Sequence, residues 1–383
     1  PDHPDDVFLA GTRVSHLEHA DDMALISSSP EGLQQKLDAL ATWAARNQME
    51  INVKKTVVMM FHRPRSRPNM PPPVFSIYGR PLNIVSQQSY VGITFSSGTP
   101  NIWDIHFSSC ASKARRAANM TFFVESHTGP IPPWECRTLY TAHVDPHLIW
   151  AAGVTGIGTL AQQAKLEAVQ VAYLRRLLKL QSRSQKCILF TETGLWPLLY
   201  RRLYIQLGYL QYICQQDSDR LVVAALQSQI ALDRQKTSGW LSDLRSNLLK
   251  VDVTLPGDIT GPLIAKCMTD LKTAMQNALR NEVNNSPKLE LLQRRVEFSA
   301  KGRAESPVLL FRSYLRIHDW ALRQALTRLL VSDHRLSIEI LRRAPAPIPR
   351  EERLCRFCVA AVEDPIHALF ECNCSLELVT LRR

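Results

Sequence analysis

Residues 16–27 read HLEHADDMALIS, and two adjacent carboxylates, Asp21 and Asp22, lie between apolar stretches at 7–10 and 14–17 on one side and at 23–26 on the other. Apolar runs of this kind form strands, so the pattern predicts a β-hairpin with acids at its tip. Carboxylates are costly to bury unpaired, so we expect both side chains to face water or to hold a cation. Their hard oxygen atoms suit Mg²⁺, as in two-metal phosphoryl-transfer sites. A solvated turn is the alternative.

A helix is predicted directly after the acidic hairpin. Residues 27–30 (SSSP) are typical of a helix start, and apolar residues then recur at helical spacing to about Gln48. Residues 51–61 (INVKKTVVMMF) are a predicted strand, because they are apolar and rich in β-branched side chains. Beyond a proline-rich linker, residues 75–82 and 89–95 are predicted to form another strand pair.

The order of these elements resembles the C-terminal part of the reverse transcriptase of non-LTR (LINE-type) retrotransposons. The matching stretches are HLEHADDMALIS at 16–27, the helix around 33–43, INVKKT at 51–56, YVG at 90–92, LYTAHVDPHLIW at 139–150 and ETGLWP at 192–197. The last two resemble the thumb region of the family. The resemblance covers residues 1 to about 215 and resumes near residue 305.

The resemblance implies RNA-templated DNA synthesis, with an RNA template, a DNA primer or target and a deoxynucleotide as ligands. Asp21 matches the metal-binding acid of the family and Asp22 its neighbour; with a third carboxylate from an upstream strand they would hold two Mg²⁺. Lys55 matches a cation that neutralises or protonates the leaving group, although a surface lysine at a strand end is the alternative. Tyr90 and Gly92 match the hairpin that grips the primer end.

Two departures from the family pattern bear on activity. The family has an aromatic residue before Ala-Asp-Asp, where this chain has His19. The fingers and the strand that carries the third carboxylate would precede residue 1, which is Pro and not Met. We therefore expect a fragment or a processed piece that is catalytically incomplete as it stands.

The charge of the chain favours an anionic partner. It carries 46 Lys and Arg against 35 Asp and Glu, a net charge of +11, which favours nucleic acid or an anionic surface. A hydrophobic fraction of 45% is typical of a globular chain. No apolar run reaches membrane-spanning length and no signal peptide opens the sequence, so we predict an intracellular protein of the nucleus or cytoplasm.

A cluster of basic residues follows the middle of the chain. Residues 161–181 are a predicted helix whose apolar stripe is core packing. The basic residues on its other side and just beyond it are Arg175, Arg176, Lys179, Arg183 and Lys186. In a thumb they would lie along the phosphates of a primer–template duplex. A solvated face is the alternative.

The C-terminus carries a metal-ligand pattern. Cys355, Cys358, His367 and Cys372 are spaced C-x2-C-x8-H-x4-C, while Cys374 is a spare that could replace Cys372. Three soft thiolates and one imidazole favour a closed, structural Zn²⁺ site. LINE-type proteins often end with such a CCHC motif, which is what the resemblance implies here as well.

Together these patterns predict an α+β chain that is mostly α. Its predicted parts are the palm end with a primer-grip-like hairpin (1–100), a helical thumb-like region (101–215), a helical region of unknown role (216–350) and the zinc motif (351–383). The leading hypothesis is a LINE-type reverse transcriptase fragment with a small antiparallel β palm remnant. The alternatives are a non-catalytic nucleic-acid-binding protein that uses the basic helices and the zinc motif, and an inert relic of a decayed element.

Overall fold

The computed structural model describes residues 3–61, 73–99, 101–156, 159–298 and 302–382. About 52% of the chain is helical and the strands are few and short, which confirms the mostly helical α+β prediction. Most of the predicted proline-rich linker lies outside the described residues. Among the described helices, none combines the length and the apolar character that a passage through a bilayer requires.

The strands pair almost entirely with their neighbours in sequence. They are β1 (Val7–Leu9), β2 (Thr12–Val14), β3 (His16–His19), β4 (Asp22–Leu25), β5 (Val57–Met59), β6 (Ser76–Ile77), β7 (Arg80–Pro81), β8 (Asn83–Val85), β9 (Gln87–Tyr90), β10 (Ile93–Ser96), β11 (Glu297–Phe298) and β12 (Ala304–Glu305). The pairs β1–β2, β3–β4, β6–β7, β9–β10 and β11–β12 are antiparallel. β5 and β8 pair in parallel, with Val57 opposite Asn83.

Two strand predictions need correction. The strand predicted over residues 51–61 is only β5, because Asn52 accepts hydrogen bonds from the backbone N–H groups of Lys55 and Thr56 and closes a turn before it. Residues 75–82 and 89–95 do not pair with each other. Each forms its own hairpin, since tight turns at Tyr78-Gly79 and Val91-Gly92 have the positive φ angles that two-residue hairpins require.

The helices account for most of the structure. They are α1 (Pro30–Arg46), α2 (Asp104–Thr128), α3 (Pro133–Leu139), α4 (Asp145–Ile149), α5 (Leu160–Leu177), α6 (Cys187–Thr193), α7 (Leu198–Ile213), α8 (Leu221–Arg234), α9 (Trp240–Leu249), α10 (Gly261–Asn284), α11 (Trp320–Leu330), α12 (Ser337–Ile340) and α13 (Leu376–Leu381). α1 begins as predicted, because the Ser29 hydroxyl accepts the N–H of Gly32 and Pro30 is the first helical residue.

A π-helical turn interrupts the helical stretch between Pro133 and Ile149. α3 and α4 are separate segments on either side of Tyr140–Val144. The Tyr140 hydroxyl accepts a hydrogen bond from the Gln170 amide at 3.0 Å. The same amide group donates to the carbonyl of Trp196, so one side chain joins the two stretches that resemble the thumb region.

The chain divides into two compact units, each made of three segments. The first comprises Pro1–Lys113, Ile149–Leu166 and Arg201–Leu271, and the second Ala114–Leu148, Glu167–Tyr200 and Lys272–Arg383. In the first unit, α1 packs on the strands around β5 and β8. The buried side chains of this core are Leu37, Val58, Phe75, Ile77 and Leu82.

The second unit is organised around a buried carboxylate, that of Glu192 at the end of α6. Glu192 is fully buried, and its two oxygens accept hydrogen bonds from Arg295 at 2.7 and 3.0 Å. The Tyr314 hydroxyl donates to the same carboxylate at 3.0 Å. The backbone N–H of Arg312 donates to the Glu192 carbonyl, so residues 295–314 are fastened to α6 by side chains and backbone together.

Gly194 ends α6 at the point where these segments meet. Its φ of +69° is left-handed, and its N–H donates to the Phe190 carbonyl at 2.8 Å, as in a helix C-cap. A Cβ at this position would lie 2.8 Å from the backbone nitrogen of Phe311 and 3.0 Å from the carbonyl carbon of Leu310. Backbone atoms cannot rotate away as a side chain does, so only glycine fits.

We expect Gly194→Ala to lower the free energy of unfolding by more than about 2 kcal/mol, because it adds a backbone clash to the usual cost of a left-handed alanine. Gly129→Ala is the matched control, since Gly129 has a φ of +87° and open space around its Cβ position. It should cost only about 1–2 kcal/mol. Urea denaturation measures both, and equal losses would contradict the clash at Gly194.

Candidate functional site

The acidic hairpin is formed as predicted, with its two carboxylates in water. His19 of β3 is paired with Asp22 of β4, and the turn between them consists of Ala20 and Asp21. Both acids are exposed, and neither side chain forms a hydrogen bond or an ion pair with another described residue. Ala20 has a left-handed φ of +55°, which costs an alanine about 1–2 kcal/mol. The tip is a strained turn that presents two free carboxylates.

The second predicted hairpin lies against the acidic one. The Tyr90 hydroxyl donates a hydrogen bond of 3.4 Å to the carbonyl of Leu17, which belongs to β3. On the other side of the turn, the Trp150 indole donates to the carbonyl of Gly92 at 3.0 Å. A Cβ on Gly92 would lie 3.0 Å from the Trp150 ring, so the glycine allows this close approach. The structure thus brings together Tyr90, Gly92 and the strand that leads to the acidic turn.

Lys55 makes no polar contact with the two acids of the hairpin. It lies in the turn before β5 and is exposed, and it forms no hydrogen bond or ion pair with Asp21 or Asp22. The prediction of a lysine on a strand is wrong in this detail, because the Asn52 side chain and carbonyl close the turn. A charged role for Lys55 therefore needs a ligand between it and the acids.

Three of the five predicted nucleic-acid-binding residues are already paired with acids. Glu125 forms ion pairs with Lys179 and, at 3.4 Å, with Arg176. Lys186 pairs with Glu167 at 3.1 Å. The sequence pattern missed the two pairs of Glu125 because this residue lies on α2, more than 50 residues before its partners. The basic side of α5 is therefore less positive than the count of lysines and arginines indicates.

Arg175 and Arg183 are the two members of this set without an acidic partner among the described residues. Arg175 donates to the Ser184 carbonyl at 3.1 Å, which leaves its positive charge uncompensated. Arg183 is exposed in the loop after α5. Arg176 also stacks on the Phe122 ring, with its guanidinium carbon 3.9 Å from the ring centroid. These contacts restrict the motion of the guanidinium groups. The side chains therefore lose less conformational entropy when a ligand binds to them.

The four predicted zinc ligands converge on one point. The sulfur atoms of Cys355, Cys358 and Cys372 and a ring nitrogen of His367 all lie within 4.8 Å of one another. The Cys355 and Cys372 sulfurs are 3.8 Å apart, and the Cys358 sulfur is 3.3 Å from His367 Nε2. Two thiolates bound at about 2.3 Å to a tetrahedral Zn²⁺ would be about 3.8 Å apart, so the set fits this ion. Cys374 is exposed and stays outside the cluster.

The local backbone prepares a thiolate for the metal. The N–H groups of Ala360 and Ala361 hydrogen-bond the Cys358 sulfur and, with His367, lower the pKa of this thiol to about 6. This lowered pKa favours the thiolate of metal-free Cys358, which is the form that binds a metal. Burial raises the pKa of Cys355 in the metal-free chain. Binding of the ion would release the remaining thiol protons.

Glu363 attaches the zinc-binding segment to the rest of the second unit. Its carboxylate is buried and accepts hydrogen bonds from the N–H and hydroxyl of Ser337 at 2.6 and 2.5 Å, and from Arg356 at 2.7 Å. Burial alone would raise the pKa of Glu363, but hydrogen bonds from Arg356 and Ser337 hold it below its ordinary value. The spacing of the predicted zinc ligands did not indicate a role for Glu363. The zinc segment is therefore packed on the start of α12.

Comparison of the sequence with protein-family models gives no match, and comparison with curated proteins gives none either. The likeness to LINE-type reverse transcriptases therefore rests on the quoted motifs and on their order along the chain.

We expect removal of Zn²⁺ by a chelator, or the substitution Cys355→Ser, to unfold residues 351–374 locally and to leave the helices of residues 101–215 folded. The ion supplies much of the folding free energy of so small a segment, whereas the helices have their own buried contacts. Hydrogen exchange resolved by residue measures this directly. Cys374→Ser is the matched control and should change nothing, and unchanged protection in Cys355→Ser would contradict a structural metal.

Proposed function

We propose that this chain is the end of the palm, the thumb and the zinc module of a LINE-type reverse transcriptase, an RNA-directed DNA polymerase. Its ligands in this proposal are an RNA template, a DNA primer or target and a deoxynucleotide. The single observation that carries the proposal is the pair of hairpins. Asp21 and Asp22 stand free in water at the tip of one hairpin, and the other is fastened to it through Tyr90 and Leu17.

The chemistry of the acidic tip supports this assignment. Two adjacent carboxylates without internal partners are suited to Mg²⁺, which prefers oxygen ligands and retains several waters. Mg²⁺ bound there would supply charge stabilisation for nucleotidyl transfer. Asp21 and Asp22 would hold it, while Tyr90 and Gly92 would position the primer end. Lys55 is proposed to supply a positive charge to the leaving group through the bound nucleotide.

The described residues do not complete such a catalytic site. Among them, the cluster of Cys355, Cys358, His367 and Cys372 is the one group of three or more potential ligands close enough to share a metal ion. Within that part of the chain, no third His, Cys, Asp or Glu side chain lies close enough to Asp21 and Asp22 to share a metal ion with them. Two carboxylates alone bind a divalent ion weakly and do not position a nucleotide. We therefore propose that the chain by itself is catalytically incomplete.

A second candidate function is non-catalytic binding of nucleic acid. It is favoured by the same lack of a third carboxylate together with the net charge of +11. Arg175 and Arg183 keep uncompensated charges, so the basic surface retains phosphate-binding capacity even after Glu125 and Glu167 are counted. In this candidate function the acidic hairpin would take part in no reaction.

Primer extension tests whether the chain is catalytically incomplete by itself. With an RNA template, a DNA primer, deoxynucleotides and Mg²⁺, we expect no extension by the purified chain, because the metal site lacks a third carboxylate. Asp21→Ala and the control Asp38→Ala, a change on the exposed side of α1, should behave like the parent chain. Extension that Asp21→Ala abolishes and Asp38→Ala preserves would show that the chain is an active polymerase as it stands.

Salt dependence tests binding of nucleic acid itself. If two or three phosphates are neutralised, the affinity for a primer–template duplex falls about 10- to 40-fold between about 50 and about 200 mM salt. Arg183→Ala should lower the slope of log K against log salt by about 1, and Arg220→Ala, an exposed arginine of the first unit, should not. Asp21→Ala should leave binding unchanged in the absence of Mg²⁺. A chain that binds no duplex even at low salt would contradict both candidates.

A further inference from the structure

A pocket in the second unit lies beside α11 and takes no part in the function proposed above. It has a volume of about 250 Å³ and is bounded by the end of α5, by α11 and by residues 130–133, which lead into α3. Its wall includes the apolar side chains of Pro133, Leu177, Leu315 and Trp320. Pockets for drug-sized molecules measure about 300–1,000 Å³, so this one accommodates a single ring system.

An open groove of about 590 Å³ continues from this pocket along α5 and α11. The two cavities share the lining residues Lys179 and Gln324, so they adjoin each other. Arg175, Arg176 and Arg328 line the groove as well. Neither cavity is lined by an Asp or Glu side chain, and the acid Glu125 reaches only Arg176 and Lys179.

Two guanidinium nitrogens of the groove lack an acceptor within the described part of the chain. They are Nε of Arg175 and Nε of Arg328, and both atoms are buried. A buried N–H donor without an acceptor costs free energy, and in native structures such donors are satisfied by water, an ion or a ligand. Anionic oxygen is the acceptor that a guanidinium fork binds best, and phosphate matches its geometry.

We propose that this continuous cleft binds single-stranded nucleic acid, with one unpaired base in the pocket against Trp320 and the neighbouring phosphates on Arg175 and Arg328. The inference rests on the proposed nucleic-acid binding and specifies its ligand. Anionic oxygens next to a flat apolar ring are the repeating pattern of a single strand, and proteins that bind single strands combine a basic groove with aromatic stacking. In a duplex the bases are stacked inside, so no base is free to enter the pocket.

Trp320 is well placed for this role. It is the first residue of α11 and is 58% exposed although it lines the pocket. The Asp319 side chain accepts the N–H groups of Ala321 and Leu322 at 2.8 and 3.0 Å, which fixes the start of the helix and hence the position of the indole. A base that stacks on the indole covers apolar surface that is otherwise in contact with water.

The test is fluorescence anisotropy with the full chain and two probes, an unstructured oligodeoxythymidine and a duplex of equal length. Trp320→Ala should weaken binding of the single strand about tenfold, since one stacked base contributes a loss of this order, and should change duplex binding by less than about twofold. Trp320→Phe should restore most of the affinity. Arg328→Ala should weaken single-strand binding and lower its salt slope by about 1.

Matched controls separate the cleft from general effects. Leu322→Ala removes an exposed apolar side chain of α11 outside both cavities, and Arg220→Ala removes one positive charge elsewhere. Both should bind the single strand as the parent chain does. Unfolding curves and the rescue by Trp320→Phe show whether Trp320→Ala is folded.

Each contrary outcome has a distinct meaning. Unchanged single-strand affinity in Trp320→Ala overturns the cleft proposal, and duplex binding by the parent chain then leaves the proposed function standing. Failure of the parent chain to bind either probe overturns both. Trp320-dependent binding of a glutamate-rich, tryptophan-containing peptide without binding of the oligonucleotide also overturns the cleft proposal and assigns the cleft to an acidic protein partner.

Discussion

The buried carboxylate of Glu192 is the interaction on which the second unit depends. A fully buried charge is tolerated only when its oxygens are hydrogen-bonded and its charge is compensated, and Arg295 and Tyr314 meet both needs. Burial and the neighbouring carboxylate raise the pKa of Tyr314 well above its ordinary value, so its hydroxyl stays a donor. Removal of one partner leaves a buried charge, which typically costs about 3–5 kcal/mol.

This constraint extends to the surface that we assign to ligand binding. Tyr314 and Arg312 hold the chain directly before Leu315, which is buried and lines the pocket, and α11 with Trp320 follows five residues later. On the far side of α11, the buried side chain of Asp333 accepts the backbone N–H of Gln181 at 3.2 Å. α11 is thus tied to α6 through the residues before its first turn and to the loop after α5 beyond its last residue.

Local sequence patterns predicted the start of α1 and the four residues of the Cys-His cluster, for a physical reason. The start of α1 follows from a serine cap and a proline, and the zinc cluster follows from ligand spacing, both of which are local along the chain. The parallel pairing of β5 with β8 joins residues 26 positions apart, and the link of Glu125 to Lys179 spans 54 positions. No local pattern encodes such contacts, so the charge of the basic surface was overestimated.

The zinc segment and the cleft are anchored to the second unit by different contacts. Glu363 anchors the segment to Ser337 at the start of α12, so loss of the ion first loosens this contact. α11 is fastened independently through Asp333 and the Glu192 network. Loosening of α12 therefore does not have to reach Trp320. A zinc ion bound there would stabilise its own segment, while the rigidity of the cleft comes from the buried charges of the helical body.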